Sequence, residues 1–282
     1  MGACSEWRAV GRNSYMNESA TDKFLYALWK GILHPRSTIS WVRRGHLAKD
    51  RVFISQTYWF TGTLTRIPLA ELLPESKSVE ISLPRAFDRK FGTSISTEEA
   101  CHLCAITRCL KAKKVLEIGT WDGNTALAIA ANLNEGGEVV TVDLPPDFDA
   151  EKQAASLAFS DGFLNLTPRD QLGRQVQGHT LSHRIRQVYG DSAALDWSKL
   201  GGPFDLIFID GCHTEAYVRS DSQNALRQLG DGGAIVWHDY GMIPEVSTVV
   251  DHMAQEPTGL RICALEGTRL AIGLRSDRHV RS

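Results

Sequence analysis

No stretch of this 282-residue sequence stays apolar for the roughly 18–20 residues that cross a bilayer, so no spanning helix and no membrane partner are expected. The opening residues, MGACSEWRAVGRN, hold no apolar core of the kind a secretory leader needs. Glu6 also stands where a myristoylation signal wants serine or threonine. The expected compartment is the cytoplasm. Cysteine is sparse: Cys4, Cys101, Cys104, Cys109, Cys212 and Cys263. Without a secretion signal they imply no disulfide framework. Cys101 and Cys104 have C-x-x-C spacing, but no second pair follows to complete a zinc site. They lie in a helical pattern with Ala100, Leu103, Thr107 and Leu110 on one face, and read as small packing residues. A large excess of positive charge is absent too, since the net charge is −2. No nucleic-acid partner is expected on that ground. The charge is uneven, however. Residues 1–95 carry 14 Lys/Arg against 8 Asp/Glu, and the remainder 17 against 25. The first part is therefore expected to meet the second, or an anion. There is no internal repeat.

What the chain does have is 43% hydrophobic residues, enough for one large domain or one domain with a smaller attachment. Residues 1–20 are polar and aperiodic, a flexible tail by pattern. TDKFLYALWKGILHP then sets Phe24, Leu28 and Ile32 on one stripe, with Leu25 and Trp29 beside them, and Pro35 ends the helix. RVFISQTYWF reads as strand, and Pro68, Pro74 and Pro84 interrupt the segment after it. Residues 21–95 are thus expected to form an accessory region that acts as a lid, lines an acceptor pocket or makes a homodimer contact. From residue 96 the pattern becomes regular. Ser96 and Glu99 fit a capping box for a helix at 97–111. Apolar strands follow at 114–118, 138–143, 185–189, 204–210 and 233–238, with helical patterns between most of them. That alternation predicts an α/β, doubly wound, mostly parallel Rossmann-like sheet over 96–282. LRICALEGTRLAIGLR reads as a C-terminal antiparallel hairpin turning at Glu266-Gly267, at the end of the sheet. The polar, partly helical insertion 145–184 is expected to cover a site or a partner surface.

The chemistry concentrates in VLEIGTWDGNTALAIA, where an apolar strand runs through a glycine turn into a helix. Gly119 and Gly123 let the backbone turn tightly and come close to a ligand. The amides of Asn124 and Thr125 open a helix N-terminus suited to an anionic group. Asp143 ends the next strand, at the distance usual for a carboxylate that holds a ribose diol. A dinucleotide fingerprint wants glycine at 117, 119 and 122, and here Glu117 and Asp122 occupy two of those places. Two acids would repel a pyrophosphate. They suit a ligand that carries both an ammonium and a carboxylate on a nucleoside, such as S-adenosyl-L-methionine.

With these residues quoted, the sequence resembles the class I S-adenosylmethionine-dependent methyltransferases over about 96–275. VLEIGTWDGNTAL is similar to their first motif, VVTVDL to the second, and VYGDSAALDW to the segment after the third strand. PFDLIFIDGCHTEAYVRSD and GGAIVWHDY resemble the fourth- and fifth-strand motifs of a subgroup of bacterial small-molecule O-methyltransferases. The resemblance implies cofactor contacts from Glu117, Gly119, Thr120, Asp122, Gly123, Asn124, Thr125, Asp143, Leu144, Gly190, Asp191, Ser192 and Asp210. Asp191 and Ser192 would flank the adenine. Residues 1–95 lie outside it.

Asp210, His213, His238 and Asp239 fall at or just past the ends of two strands and are expected to converge on the ligand side. Two uses are open. Asp210 and Asp239, with His238, could hold Mg2+ or another divalent metal. Related O-methyltransferases hold a metal with acids here, but His238 stands where those enzymes commonly have an acid. Alternatively His238 or His213, with Asp210 nearby, could take the proton of an acceptor hydroxyl. Structural readings of the same residues are a helix cap for His213 and a hydrogen-bonded core-edge histidine for His238. Cys212 reads as packing. DLPPDF follows the second strand rather than the fourth, which weakens an amino-group methyltransferase of nucleic acids. The expected activity is O-methylation of a small-molecule acceptor. The rivals are an NAD(P)-type oxidoreductase on a similar sheet, a non-catalytic S-adenosylmethionine-binding scaffold, and RNA modification through the basic run 43–51.

Overall fold

The computed structural model describes residues 62–85, 87, 95–148 and 171–275. The helix expected at 21–34, the strand at 51–60, the basic run 43–51 and most of the insertion 145–184 lie outside the described residues.

Among the described residues eight strands form one sheet in the order β1-β7-β8-β6-β5-β2-β3-β4. They are β1 (Arg66–Ile67), β2 (Lys114–Ile118), β3 (Glu138–Asp143), β4 (Ile185–Tyr189), β5 (Phe204–Ile209), β6 (Leu229–Trp237), β7 (Leu260–Leu265) and β8 (Ala271–Arg275). Strands β6, β5, β2, β3 and β4 pair in parallel, while β8 is antiparallel to both β6 and β7. The strands expected from residue 96 onward are all present, and the sheet is the mostly parallel, helix-flanked one that the alternation predicts. One detail differs. The hairpin does not end the sheet, because Arg66–Ile67 adds a short parallel strand outside β7. Proline at 68 precedes a single helical turn, α1 (Leu69–Leu72), so this outer strand stops after two residues.

Four longer helices flank the sheet: α2 (Thr97–Cys109), α3 (Asn124–Ala130), α4 (Glu215–Gln228) and α5 (Pro244–Met253). The capping box at Ser96 is present in full, with the hydroxyl accepting from the Glu99 amide and the Glu99 carboxylate accepting from the Ser96 amide. Helix α2 ends at Cys109, where Lys111 turns into a left-handed conformation. The described part of the insertion, 171–184, is a series of turns with a short 3-10 turn at Ser182–Arg184.

Strand side chains alternate between faces, and the core divides accordingly. Val115, Val139, Leu206, Phe208, Ala234 and Val236 pack with α2 and α3 on one face. Leu116, Ile118, Val140, Val142, Ile207, Ile209, Ile235 and Trp237 pack with α4 and α5 on the other. Burial on both faces explains why these strands read as continuous apolar runs. Chain order reverses between β2 and β5, which are neighbours in space although β3 and β4 intervene in sequence. In an open α/β sheet that crevice, beyond the carboxyl ends of the strands, is where ligands bind.

Candidate active site

The same alternation decides which polar groups meet. Stepping by two from the α2/α3 face carries β2 from Val115 to Glu117 and β3 from Val139 to Thr141 and Asp143. It also carries β5 from Leu206 through Phe208 to Asp210, and β6 from Ala234 through Val236 to His238. Each central strand is thus apolar at its start and polar at its carboxyl end, on one face. Register brings Glu117 beside Thr141 on one side and Phe208 on the other.

At the switch point Gly119 has φ +100, and a Cβ there would lie 2.0 Å from the carbonyl oxygen of Asp210. Its glycine character lets the ends of β2 and β5 close on each other. The ladder continues past both strands, with the Asp210 amide donating to Ile118 O at 2.8 Å. Gly123 has φ +86 and starts α3, but its open side is filled by Val176, whose Cγ2 would meet a Cβ at 2.6 Å. The turns at 171–178 thus lie across the glycine turn, where the Gly173 and Gln175 amides donate to Trp121 O and Asp122 O at 2.7 and 2.9 Å. Asp122 caps the helix, accepting from the Asn124 amide at 3.0 Å. The carboxylate of Asp122 therefore already satisfies one of the amides expected to receive an anion. Thr125 is half-buried on the following turn.

Asp143 is half-buried at the end of β3. Its Oδ2 accepts from the Trp121 amide at 2.9 Å and its Oδ1 from the Leu144 amide at 2.7 Å. These bonds fix the orientation of the carboxylate. Trp121 reaches it from a left-handed conformation, φ 44, which is uncommon for a bulky side chain. Past β4, the Gly190 amide donates to Asp143 O at 2.9 Å, which seats the next loop against the same strand end. Asp191 in that loop accepts from Tyr217 Oη at 3.0 Å and from the Ala193 amide at 2.9 Å, and Ser192 is buried beside it.

Glu117 has no solvent exposure. Its Oε2 accepts a short hydrogen bond from the Thr141 hydroxyl, which in turn accepts from the Thr120 hydroxyl. Its Oε1 makes no hydrogen bond among the described residues. Burial, helped by the charges of Asp210, Asp143 and Asp122 and opposed by the Thr141 bond, holds its carboxyl well above the usual glutamate range. Four acids therefore surround the switch point.

The second cluster lies at the ends of β5 and β6. His238 is buried, with Nδ1 2.9 Å from Asp210 Oδ1 and Nε2 3.5 Å from Glu99 Oε2. Burial disfavours the imidazolium, but the carboxylates of Asp210 and Asp239 outweigh it and hold His238 well above the ordinary histidine range. The two nitrogens of His238 thus face acids on opposite sides, which favours its charged form. Half-buried His213 sits on the loop after β5, with Nε2 3.2 Å from Asp239 Oδ2 and 3.9 Å from Asp210 Oδ1. Ligand atoms of Asp210, His213 and Asp239 all lie within 4.8 Å of one another. His238 Nδ1 also lies 3.5 Å from Asp239 Oδ1, so both histidines face the two aspartates. Two carboxylates and one imidazole make a donor set that fits a divalent cation. Cys212 is half-buried with its thiol 3.7 Å from Thr214 Oγ1, a packing position.

Sequence reasoning missed the residues behind this cluster. Arg269, from the β7–β8 hairpin, donates through Nη1 to Asp239 Oδ1 at 2.9 Å and through Nη2 to Glu99 Oε2 at 2.9 Å. Glu99, read only as a cap, is 2% exposed and joins this network. Burial would raise its carboxyl, but His238 and Arg269 hold it well below the usual range. Asp239 behaves alike, with His238 and Arg269 overcoming burial. The available signal was an arginine inside the turn of the C-terminal hairpin.

Residues 116–240 match a family model described as a methyltransferase domain. A catechol O-methyltransferase of Mycobacterium tuberculosis is 29% identical over 170 residues, 60% of this chain and 62% of its own length. A Mus musculus protein called catechol O-methyltransferase domain-containing protein 1 is 46% identical over 54 residues, 19% of this chain and 21% of its own. An O-methyltransferase of Bacillus cereus, solved in complex with SAH, is 17% identical, with a TM-score of 0.46, over 73% of this chain and 90% of that one. The chain spans less than two thirds of the length of the curated relatives it matches.

The residues at the switch point fit S-adenosylmethionine. A buried carboxylate oxygen without a partner among the described residues, ringed by further acids, favours a ligand with positive charge over a pyrophosphate. Asp143 is rigidly oriented and only half-buried at the end of β3, where a carboxylate suits a ribose diol. Among the described residues no helix is long and apolar enough to cross a membrane.

Proposed function

We propose that this chain transfers a methyl group from S-adenosyl-L-methionine to a hydroxyl of a small molecule. The observation that carries the reading is the unpartnered, buried Oε1 of Glu117 among the acids of the switch point. The cofactor supplies a methyl group on a sulfonium, open to direct displacement by an oxygen lone pair. Glu117 would face its ammonium, Asp143 would accept from its ribose, and Gly190, Asp191 and Ser192 would border the adenine. Thr120 and Thr141 keep Glu117 in place, and Gly119 lets the two strand ends close behind it. His213 takes the acceptor's proton on its imidazole, and Asp239 Oδ2, 3.2 Å away, orients the ring and balances its new charge. His238, already charged and paired with Asp210, holds that carboxylate instead of acting as the base. The main task of such a site is alignment of donor and acceptor.

The grouping of Asp210, His213 and Asp239 favours a second reading of the same centre, in which these three residues hold a divalent metal ion. Such an ion supplies a Lewis acid for the acceptor oxygen. The acceptor class that the Mycobacterium tuberculosis relative's name points to is a catechol, and a vicinal diol offers two oxygens to such a centre.

The test uses the full chain with S-adenosylmethionine and a panel of catechols, phenols and aliphatic alcohols, in Mg2+ and in EDTA. Release of S-adenosylhomocysteine with a methylated hydroxyl supports transfer, and its loss in EDTA selects the metal reading. Calorimetry showing heat with NAD but none with S-adenosylhomocysteine refutes the proposal.

A further inference from the structure

Asp239 stands in a left-handed conformation, φ 56, at the bend between β6 and α5. The adjacent His238 has Nδ1 3.5 Å from Asp239 Oδ1, and the same oxygen accepts a shorter bond, 2.9 Å, from Nη1 of Arg269, thirty positions later in the chain. Arg269 is itself immobilised: its backbone amide and Nε donate to Glu99 Oε1 at 2.8 and 3.0 Å, and Nη2 donates to Glu99 Oε2. Glu99 Oε2 also accepts from the Ser96 amide at 2.6 Å, so the start of α2 fixes the carboxylate that fixes the guanidinium. The Tyr240 amide donates to Arg269 O at 2.9 Å, tying the backbone of the bend to the same residue. With Nε and Nη2 both committed to Glu99, Nη1 is left to meet Asp239 Oδ1. A lysine could not make this fork.

We propose that Arg269 and Glu99 are positioning residues for Asp239: their buried pair turns Oδ1 inward and leaves Oδ2 facing His213. This rests on the reading of Asp239 as a group of the active site. The pair would determine which single oxygen of Asp239 serves the His213 imidazole or an ion held beside it. A buried ion pair is poor evidence of added stability, and the conformational role accounts for its place here.

The test is the double variant Glu99→Gln/Arg269→Met in the full chain, which removes one buried charge of each sign. Melting temperature and S-adenosylhomocysteine affinity serve as controls for the fold and the cofactor site. The readouts are the imidazole 15N resonances of His213, assigned by their loss in His213→Gln, and Mn2+ binding followed by electron paramagnetic resonance. The expected result is displaced His213 resonances and a Mn2+ dissociation constant raised about tenfold or more, the usual effect of removing a partner behind a ligand. Unmoved His213 resonances would overturn the proposal and leave the pair as a structural staple. If the wild-type chain takes up no Mn2+, the metal reading alone falls and the His213 resonances still decide the positioning. Should the double variant not fold, Arg269→Lys is read the same way. It keeps the charge and loses the fork, and His213 signals identical to wild type would again overturn the claim.

Discussion

Asp221 offers a test of the site's electrostatic environment that needs no substrate. It lies on α4 with no solvent exposure, and neither carboxyl oxygen is hydrogen-bonded among the described residues. A Cβ on Gly211 would come within 3.6 Å of its Oδ2, so it packs directly beneath the loop that follows β5. Burial, with the charge of Asp191 adding to it and the nearby Ser192 hydroxyl opposing, pushes its carboxyl up from 3.8 to about 7. Between those values the folded chain holds a proton that the unfolded chain has released. Stability therefore falls as pH rises, by about 1.4 kcal/mol per pH unit for this one group. The full span corresponds to roughly 4 kcal/mol, and the part between pH 5.5 and 7 to roughly 2 kcal/mol. Asp221→Asn keeps the shape and removes the titration. Urea denaturation at pH 5.5 and pH 8 gives the difference in stability between variant and wild type at each pH. That difference should move in the variant's favour by about 2 kcal/mol at the higher pH. Any fixed effect of the amide cancels between the two conditions. An identical difference at both pH values would show that Asp221 does not titrate there and that the charge environment beneath this loop has been misjudged.

Three further outcomes are expected from the geometry. Gly119→Ala should destabilise the chain by at least about 2 kcal/mol in the same denaturation assay, because left-handed alanine is strained and the new carbon meets the Asp210 carbonyl; near-wild-type stability would show that the two strand ends are not tightly closed. His238→Gln and His213→Gln should separate: the first leaves Asp210 and buried Asp239 short of their cation and loses about 3–5 kcal/mol of stability. The second changes stability by less than about 1 kcal/mol and lowers turnover by about 100-fold or more, and the opposite pattern would exchange their roles. Asp143→Asn should weaken S-adenosylhomocysteine binding about 10- to 100-fold in calorimetry with the circular dichroism spectrum unchanged, whereas unaltered affinity would place the ribose elsewhere.

The strand–helix rhythm from residue 96 onward, the capping box at Ser96 and the glycine turn were all legible in the sequence. Each is set by local chemistry: period, cap and backbone freedom act within a few residues. The match of strands 114–118 and 138–143 to the structure reflects burial within the sheet, which writes an apolar run directly into the chain. The candidate polar groups could be placed at strand ends for the same reason. Their partners could not. Whether Asp122 meets a ligand or caps its own helix, and whether His213 or His238 joins the aspartates, depends on how the folded chain arranges groups that the sequence only puts near one another. Gly123 shows the difference well. Its left-handed conformation belongs to the turn, but Val176 fills the space beside it.

The amino-acid sequence by itself determined the parallel sheet, the crevice-forming turn and the set of acids available to it, because alternation and turn chemistry are local properties. Tertiary structure alone decided the charge network. Glu99, Arg269 and Asp239 meet only when the start of α2, the C-terminal hairpin and the end of β6 are folded together. The carboxylates gathered in that buried space, an arrangement no short stretch of sequence encodes, overcome desolvation to favour the charged form of His238, and they face both His238 and His213.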